Sequence, residues 1–110
     1  METTTHEYKR VTVVTVKGRV DSATSGELEA TLKRLAEKAQ TNLILDLGGV
    51  EFLSSSGLRV LVTALKASRH AGGELVLARP AEQAADAISI AGLDALFKTY
   101  PDREAAVASF

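Results

Sequence analysis

The sequence has no cysteine and no tryptophan, only two prolines, and 5% aromatic residues over 110 positions. Without cysteine there is no disulfide, no thiolate metal ligand and no thiol nucleophile. An excess of one charge is also missing. Thirteen Lys+Arg against fourteen Asp+Glu leave a formal charge of −1, so no basic surplus exists to follow a phosphate backbone, and no direct nucleic-acid binding is expected. No stretch approaches the ~20 apolar residues of a membrane helix. The start, Met1-Glu2-Thr3-Thr4-Thr5-His6-Glu7, is polar and acidic, unlike the basic and then apolar beginning of a signal peptide. A cytoplasmic protein without membrane insertion is therefore expected. His6 and His70, the two histidines, fall on different predicted elements with no third ligand at metal spacing. Phosphate-binding glycine loops and the GxSxG nucleophile elbow are absent as well. No metal, no cofactor and no catalytic residue is expected, and the chain does not read as an enzyme.

What is present is an average soluble composition, 45% hydrophobic and 25% charged, over a length suited to one domain spanning 1–110. Thr3–Tyr8 reads as a weak strand, Lys9-Arg10 as a hairpin turn, and Val11–Val16 as a strong β-branched strand that Gly18 ends. Asp21 and Ser22 offer cap oxygens for an amphipathic helix over Ser22–Lys38, with Leu28, Leu32 and Leu35 on one face. Leu43–Leu47 is nearly all apolar, as a strand covered on both faces should be, and Gly48-Gly49 is expected to break it. A second helix runs from Ser56 to about Ala71, with Leu58, Leu61, Val62 and Leu65 inward. Glu74–Ala78 is a further buried strand, and Pro80 opens a helix through Ala91. A short edge strand falls within Leu93–Tyr100, and Asp102 caps a last helix to Ser109. The order predicts an α/β fold, a mixed central sheet of four to five strands with about four helices packed on it.

One segment is left over from this accounting. Ser54-Ser55-Ser56-Gly57 places three hydroxyls before an amphipathic helix. Capping the helix needs one of them. The alternative use is phosphorylation, since a phosphate at a helix N-terminus meets free N–H groups and the positive dipole end. Both readings stand on the residues alone. Phe52, just before the serines, is expected to anchor the loop against the core.

Leu43-Ile-Leu-Asp-Leu-Gly-Gly-Val-Glu-Phe-Leu-Ser-Ser-Ser-Gly-Leu-Arg-Val-Leu61 resembles the signature of STAS domains, in particular bacterial anti-sigma factor antagonists. The resemblance extends to Val14-Thr-Val-Lys-Gly-Arg-Val-Asp21, to Gly72-Gly73-Glu-Leu-Val-Leu77 and to Gly92-Leu-Asp-Ala-Leu-Phe97, covering nearly the whole chain in order. It implies the STAS fold. It also implies a chain that, unphosphorylated, binds an anti-sigma factor with serine kinase activity and so frees a sigma factor. The kinase would end the interaction by phosphorylating the loop before the second helix, and a PP2C-type phosphatase would restore it. The accepting serine of the family motif Asp-Ser-[Ser/Thr]-Gly matches Ser55, with Ser56 and Ser54 as neighbouring candidates. Ser54 stands where that motif has Asp.

The partner surface implied by the resemblance comprises Asp21, Ser54, Ser56, Gly57, Arg59, Thr63 and Lys66. Asp21 serves equally well as a helix cap on the residues alone. Arg59, Thr63, Lys66 and His70 recur at i, i+4, i+7 and i+11, a polar stripe that is either solvated or a docking face. A monomer or weak dimer is expected. The rival reading is a constitutive STAS accessory subunit or scaffold, in a lipid-transport ATPase or a larger signalling complex, without a phospho-switch.

Overall fold

A computed structural model describes residues 1–110. The elements are β1 (Glu2–Tyr8), β2 (Val11–Val20), α1 (Ser25–Glu37), β3 (Asn42–Leu53), α2 (Ser55–His70), β4 (Glu74–Ala78), α3 (Glu82–Ile90), β5 (Thr99–Tyr100) and α4 (Arg103–Ala108). The five strands lie in the order β1-β2-β3-β4-β5. A hairpin makes the β1–β2 pair antiparallel, while β2–β3, β3–β4 and β4–β5 are parallel. Each parallel connection advances one strand in the same direction, so crossovers of one hand put α1, α2 and α3 on one face. Leu28, Leu32, Leu35, Leu61, Leu65 and Ile88 accordingly share one buried cluster with Val14, Val16, Leu45 and Leu77 of the sheet. The alternate residues Val11, Val13, Ile44 and Val76 form a second cluster on the other face, closed by Ala106 of α4.

Two strands run further than their sequence pattern predicts. Gly18 does not end β2, and Gly48-Gly49 does not break β3. The irregularities are absorbed together as register shifts between Thr15 and Lys17 and between Gly18 and Arg19. Gly48 is glycine for a packing reason, because a Cβ there would lie 2.7 Å from the Arg79 guanidinium carbon. The extension carries β3 to Leu53, beside Val20 at the end of β2.

Helix boundaries shift for similarly local reasons. Asp21 and Ser22 do not cap α1, which starts at Ser25 with Thr24 in the cap position and no side-chain cap bond. α2 begins one residue before the predicted start, at Ser55. α3 begins at Glu82 rather than at Pro80, because Ala81 is still extended (ψ 158°). Asp102 caps α4 as expected, its side chain accepting from the Ala105 N–H at 2.8 Å. No helix is long and apolar enough to cross a membrane.

Candidate functional site

The serine loop is set by the joint ends of β2 and β3. The Ser54 N–H donates to the Val20 carbonyl at 2.9 Å, continuing the ladder one step past the strand. Leu53 is buried, and its N–H donates to Gln83 Oε1 at 2.7 Å. Leu53, not Phe52, is therefore the anchor. Strand alternation sends Phe52 to the other face, where it is half-buried beneath the Arg19 guanidinium, 4.5 Å from the ring centroid. Arg19, Phe52 and Gln83 all border the loop; the sequence points to Phe52 there, as an anchor, but not to Arg19 or Gln83.

The three serines divide their tasks. Ser54 is the helix cap, accepting from the Gly57 N–H at 3.3 Å. Its Oγ also shares a 2.8 Å hydrogen bond with Ser56 Oγ, and both residues are half-buried. Ser55 is exposed as the first residue of α2, and its hydroxyl makes no protein hydrogen bond. The first turn of α2 contains no acidic side chain, so the helix N-terminus keeps its positive end uncompensated.

Gly57, predicted as a partner contact, is buried and offers no outer surface. A Cβ there would lie 2.7 Å from Leu53 Cδ1 and 2.8 Å from Val20 Cγ1. The residue lets the first turn of α2 settle on the two strand ends. Gly57→Val is expected to lower stability by about 1–3 kcal/mol through overpacking, more than the few tenths that valine gains over glycine in helix propensity. Chemical denaturation of the two proteins measures the difference.

Because α2 starts at Ser55, Arg59 lies one helical turn along the same face, with Thr63 and Lys66 continuing it, all four exposed. Residues four apart bring their Cβ atoms to roughly 5–6 Å, so Arg59 need not fold back to approach a group on Ser55. Thr63 also borders an apolar groove of about 160 Å³ between α1 and α2, floored by Leu32, Leu43 and Val60. Asp21, half-buried, caps no helix. Its Oδ1 accepts from the Ala23 N–H at 3.0 Å, and its Oδ2 lies 3.6 Å from Arg19 Nε. The Ala23 N–H, with help from Thr24 and Arg19, holds its carboxyl below the usual value despite some desolvation. His6 and His70 sit apart, on β1 and at the end of α2.

A second polar cluster lies on the face of α4. Asp46 is fully buried in the middle of β3. Arg79 Nε donates to both its oxygens at 2.9 and 3.0 Å, Arg103 Nε donates to Oδ2, and the Gly48 N–H donates to Oδ1 at 3.0 Å. Arg103 also reaches Thr15 Oγ1 at 2.6 Å through Nη2, tying α4 to β2 and β3. The signal for this cluster was an aspartate inside the apolar run Leu43–Leu47.

A mixed sheet with one antiparallel edge, three helices on one face and a serine loop at the carboxyl end of its central strand defines a STAS-type α/β domain. Residues 2–106 match the STAS domain family, and the chain belongs to it. It is 34% identical over 110 residues to BtrV of Bordetella bronchiseptica, which carries the name of an anti-sigma factor antagonist; the match spans 100% of this chain and 95% of BtrV. The crystal structure of an anti-sigma factor antagonist from Mycobacterium paratuberculosis superimposes with a TM-score of 0.89 at 28% identity, covering 98% of this chain and 92% of that one. Unphosphorylated SpoIIAA, also an anti-sigma factor antagonist, has the same fold, with a TM-score of 0.81 at 18% identity over 94% of this chain and 92% of its own. SpoIIAA of Bacillus has also been solved in a phosphorylated form.

Proposed function

We propose that this chain is an anti-sigma factor antagonist, a non-enzymatic cytoplasmic binding module switched by phosphorylation at Ser55. Unphosphorylated, it binds an anti-sigma factor that is also a serine kinase; phosphate on Ser55 ends that binding, and a PP2C-type phosphatase reverses it. The single observation carrying the reading is the division of labour among the serines: Ser54 and Ser56 are engaged with each other, while Ser55 is exposed and unbonded. The relative named as an antagonist over the full length of the chain points the same way. Asp21, Ser54, Ser56, Arg59, Thr63 and Lys66 are proposed to border the interface. Phosphate would enter beside the N-terminal N–H groups of α2 and so add about −1.5 to −2 charges without opposing the helix.

Phosphosite-resolved mass spectrometry on protein from growing and stressed host cells tests this reading. The tryptic peptide Ala39–Arg59 holds all three serines. Phosphate on Ser55 with an occupancy that changes on stress is the expected result. A peptide unmodified in every condition would favour the constitutive subunit or scaffold, a reading that serine rather than aspartate at position 54 already supports.

A further inference from the structure

β1 ends the sheet as a seven-residue strand, Glu-Thr-Thr-Thr-His-Glu-Tyr, hydrogen-bonded on one side only, to β2. Its pairing with β2 runs without a register shift from Glu2↔Lys17 to Tyr8↔Val11. Natural edge strands are usually blunted by proline, charged side chains (lysine above all), a bulge or a covering loop. β1 has no proline, no lysine and no bulge, its only charges being Glu2 and Glu7 toward its two ends, and six of its seven residues are exposed.

We infer that the free edge of β1 pairs with β1 of a second copy of this chain, antiparallel and centred on Thr5, to form a continuous ten-stranded sheet. In an antiparallel ladder, opposed residues share sheet face and hydrogen-bond orientation, so even positions meet even and odd meet odd. A two-fold pair is therefore centred on a residue. Only Thr5, the middle of Glu2–Tyr8, lets all seven residues of both strands pair. Centring on Thr4 or His6 leaves two residues of each strand without partners.

The Thr5 register also suits the charges. Glu2 faces Tyr8, Thr3 faces Glu7 and Thr4 faces His6, so no carboxylate opposes another, and like charges directly opposite are what destabilise such pairs. His6 and Tyr8, with ring centroids 4.4 Å apart on one face of the strand, meet Thr4 and Glu2 of the second copy. Because the two β1 strands run in opposite directions, so do the two β3 strands. The serine loops then project from opposite ends of the joined sheet, and each copy keeps its own loop free.

The chain has no cysteine, so introduced thiols report without interference. Thr5→Cys places two sulfurs on directly opposed residues, within the ~4.4–6.8 Å Cα separation a disulfide accepts. Glu2→Cys places them six residues apart along the ladder, roughly 20 Å. Both full-length variants are oxidised in air beside sedimentation equilibrium of the unsubstituted protein, from micromolar to millimolar concentration. The expected result is a reversible monomer–dimer equilibrium, with Thr5→Cys cross-linking at least about tenfold faster than Glu2→Cys. Equal cross-linking of the two variants overturns the pairing, because it reports random collision. A dimer in which Glu2→Cys is the faster overturns it too, because the copies then meet through another register or surface.

Discussion

Replacing Arg79 and Arg103 together by alanine is expected to cost about 3–5 kcal/mol of stability at neutral pH. The reason is Asp46, whose side chain is 0% exposed. Three groups hold its charge: the Nε of Arg79, the Nε of Arg103 and the Gly48 N–H. With both arginines gone, one neutral donor remains for a buried carboxylate, and leaving such a charge unpaired is among the few single-site mechanisms that cost this much. Losing Arg103 also frees α4 from Thr15 and uncovers the cluster around Ala106. Against a total of roughly 5–15 kcal/mol for a small domain, the double variant is marginal, and urea unfolding followed by circular dichroism reads the shift in midpoint.

The charge origin of that cost has its own signature in pH. Burial by itself raises the pKa of Asp46, but the Gly48 N–H and the two arginines outweigh it and hold the carboxyl below its ordinary value of 3.8. A carboxyl depressed in the folded state contributes stability that is present above the unfolded pKa and lost as pH falls through the folded value. In the double variant only the Gly48 N–H still opposes burial, so the folded pKa rises and the stability that Asp46 contributes at neutral pH shrinks. The difference between the two proteins is full above the variant's folded pKa and shrinks as pH falls toward the lower pKa of the unsubstituted protein. The two stability curves should converge toward acid. A difference that stays constant as pH falls well below the ordinary carboxyl value of 3.8 would assign the loss to packing alone.

The same cluster shows where sequence reading stops. Local pattern locates β1, β4 and α4 with little error: β1 by its threonines before a hairpin turn, β4 by its continuous apolar run, and α4 by the Asp102 cap. It failed at Gly18 and Gly48-Gly49, where glycine signalled a stop. These glycines lie in paired irregularities of β2 and β3, and Gly48 leaves room for the guanidinium of Arg79. That partner is 31 residues away in sequence, beyond any local pattern. Phe52 is misplaced by local pattern for a related reason: a strand stopped at Gly48 hides the alternation that turns Phe52 outward and Leu53 inward. The serine loop was legible because three adjacent hydroxyls exceed what one cap requires. Which serine caps was not legible, because it depends on where the ladder to Val20 ends.

Phosphate on Ser55 is expected to weaken binding to the proposed anti-sigma factor partner about 100-fold, which corresponds to ~2.7 kcal/mol. A dianion at the exposed start of α2 must be desolvated or displaced when the partner closes over it, and a poorly matched partner surface makes that unfavourable. The domain itself should be undisturbed. Phosphate meets the helix N-terminus and no acidic side chain in the first turn of α2, and Arg59, on the same face one turn along, is placed to offer a charge-assisted bond. The effect should therefore appear in titration calorimetry with the partner but leave the far-UV spectrum and the unfolding midpoint nearly unchanged. Ser55→Ala should bind like the unmodified protein and accept no phosphate. Ser56→Ala should still be phosphorylated at Ser55, because Ser56 Oγ serves the pair with Ser54. Equal affinity of the modified and unmodified chains would remove the switch and leave Ser55 as an ordinary solvated helix residue. A parallel drop in affinity and stability would mean that phosphate acts by unfolding the loop; only an affinity loss in an intact domain fits a charge placed at the interface.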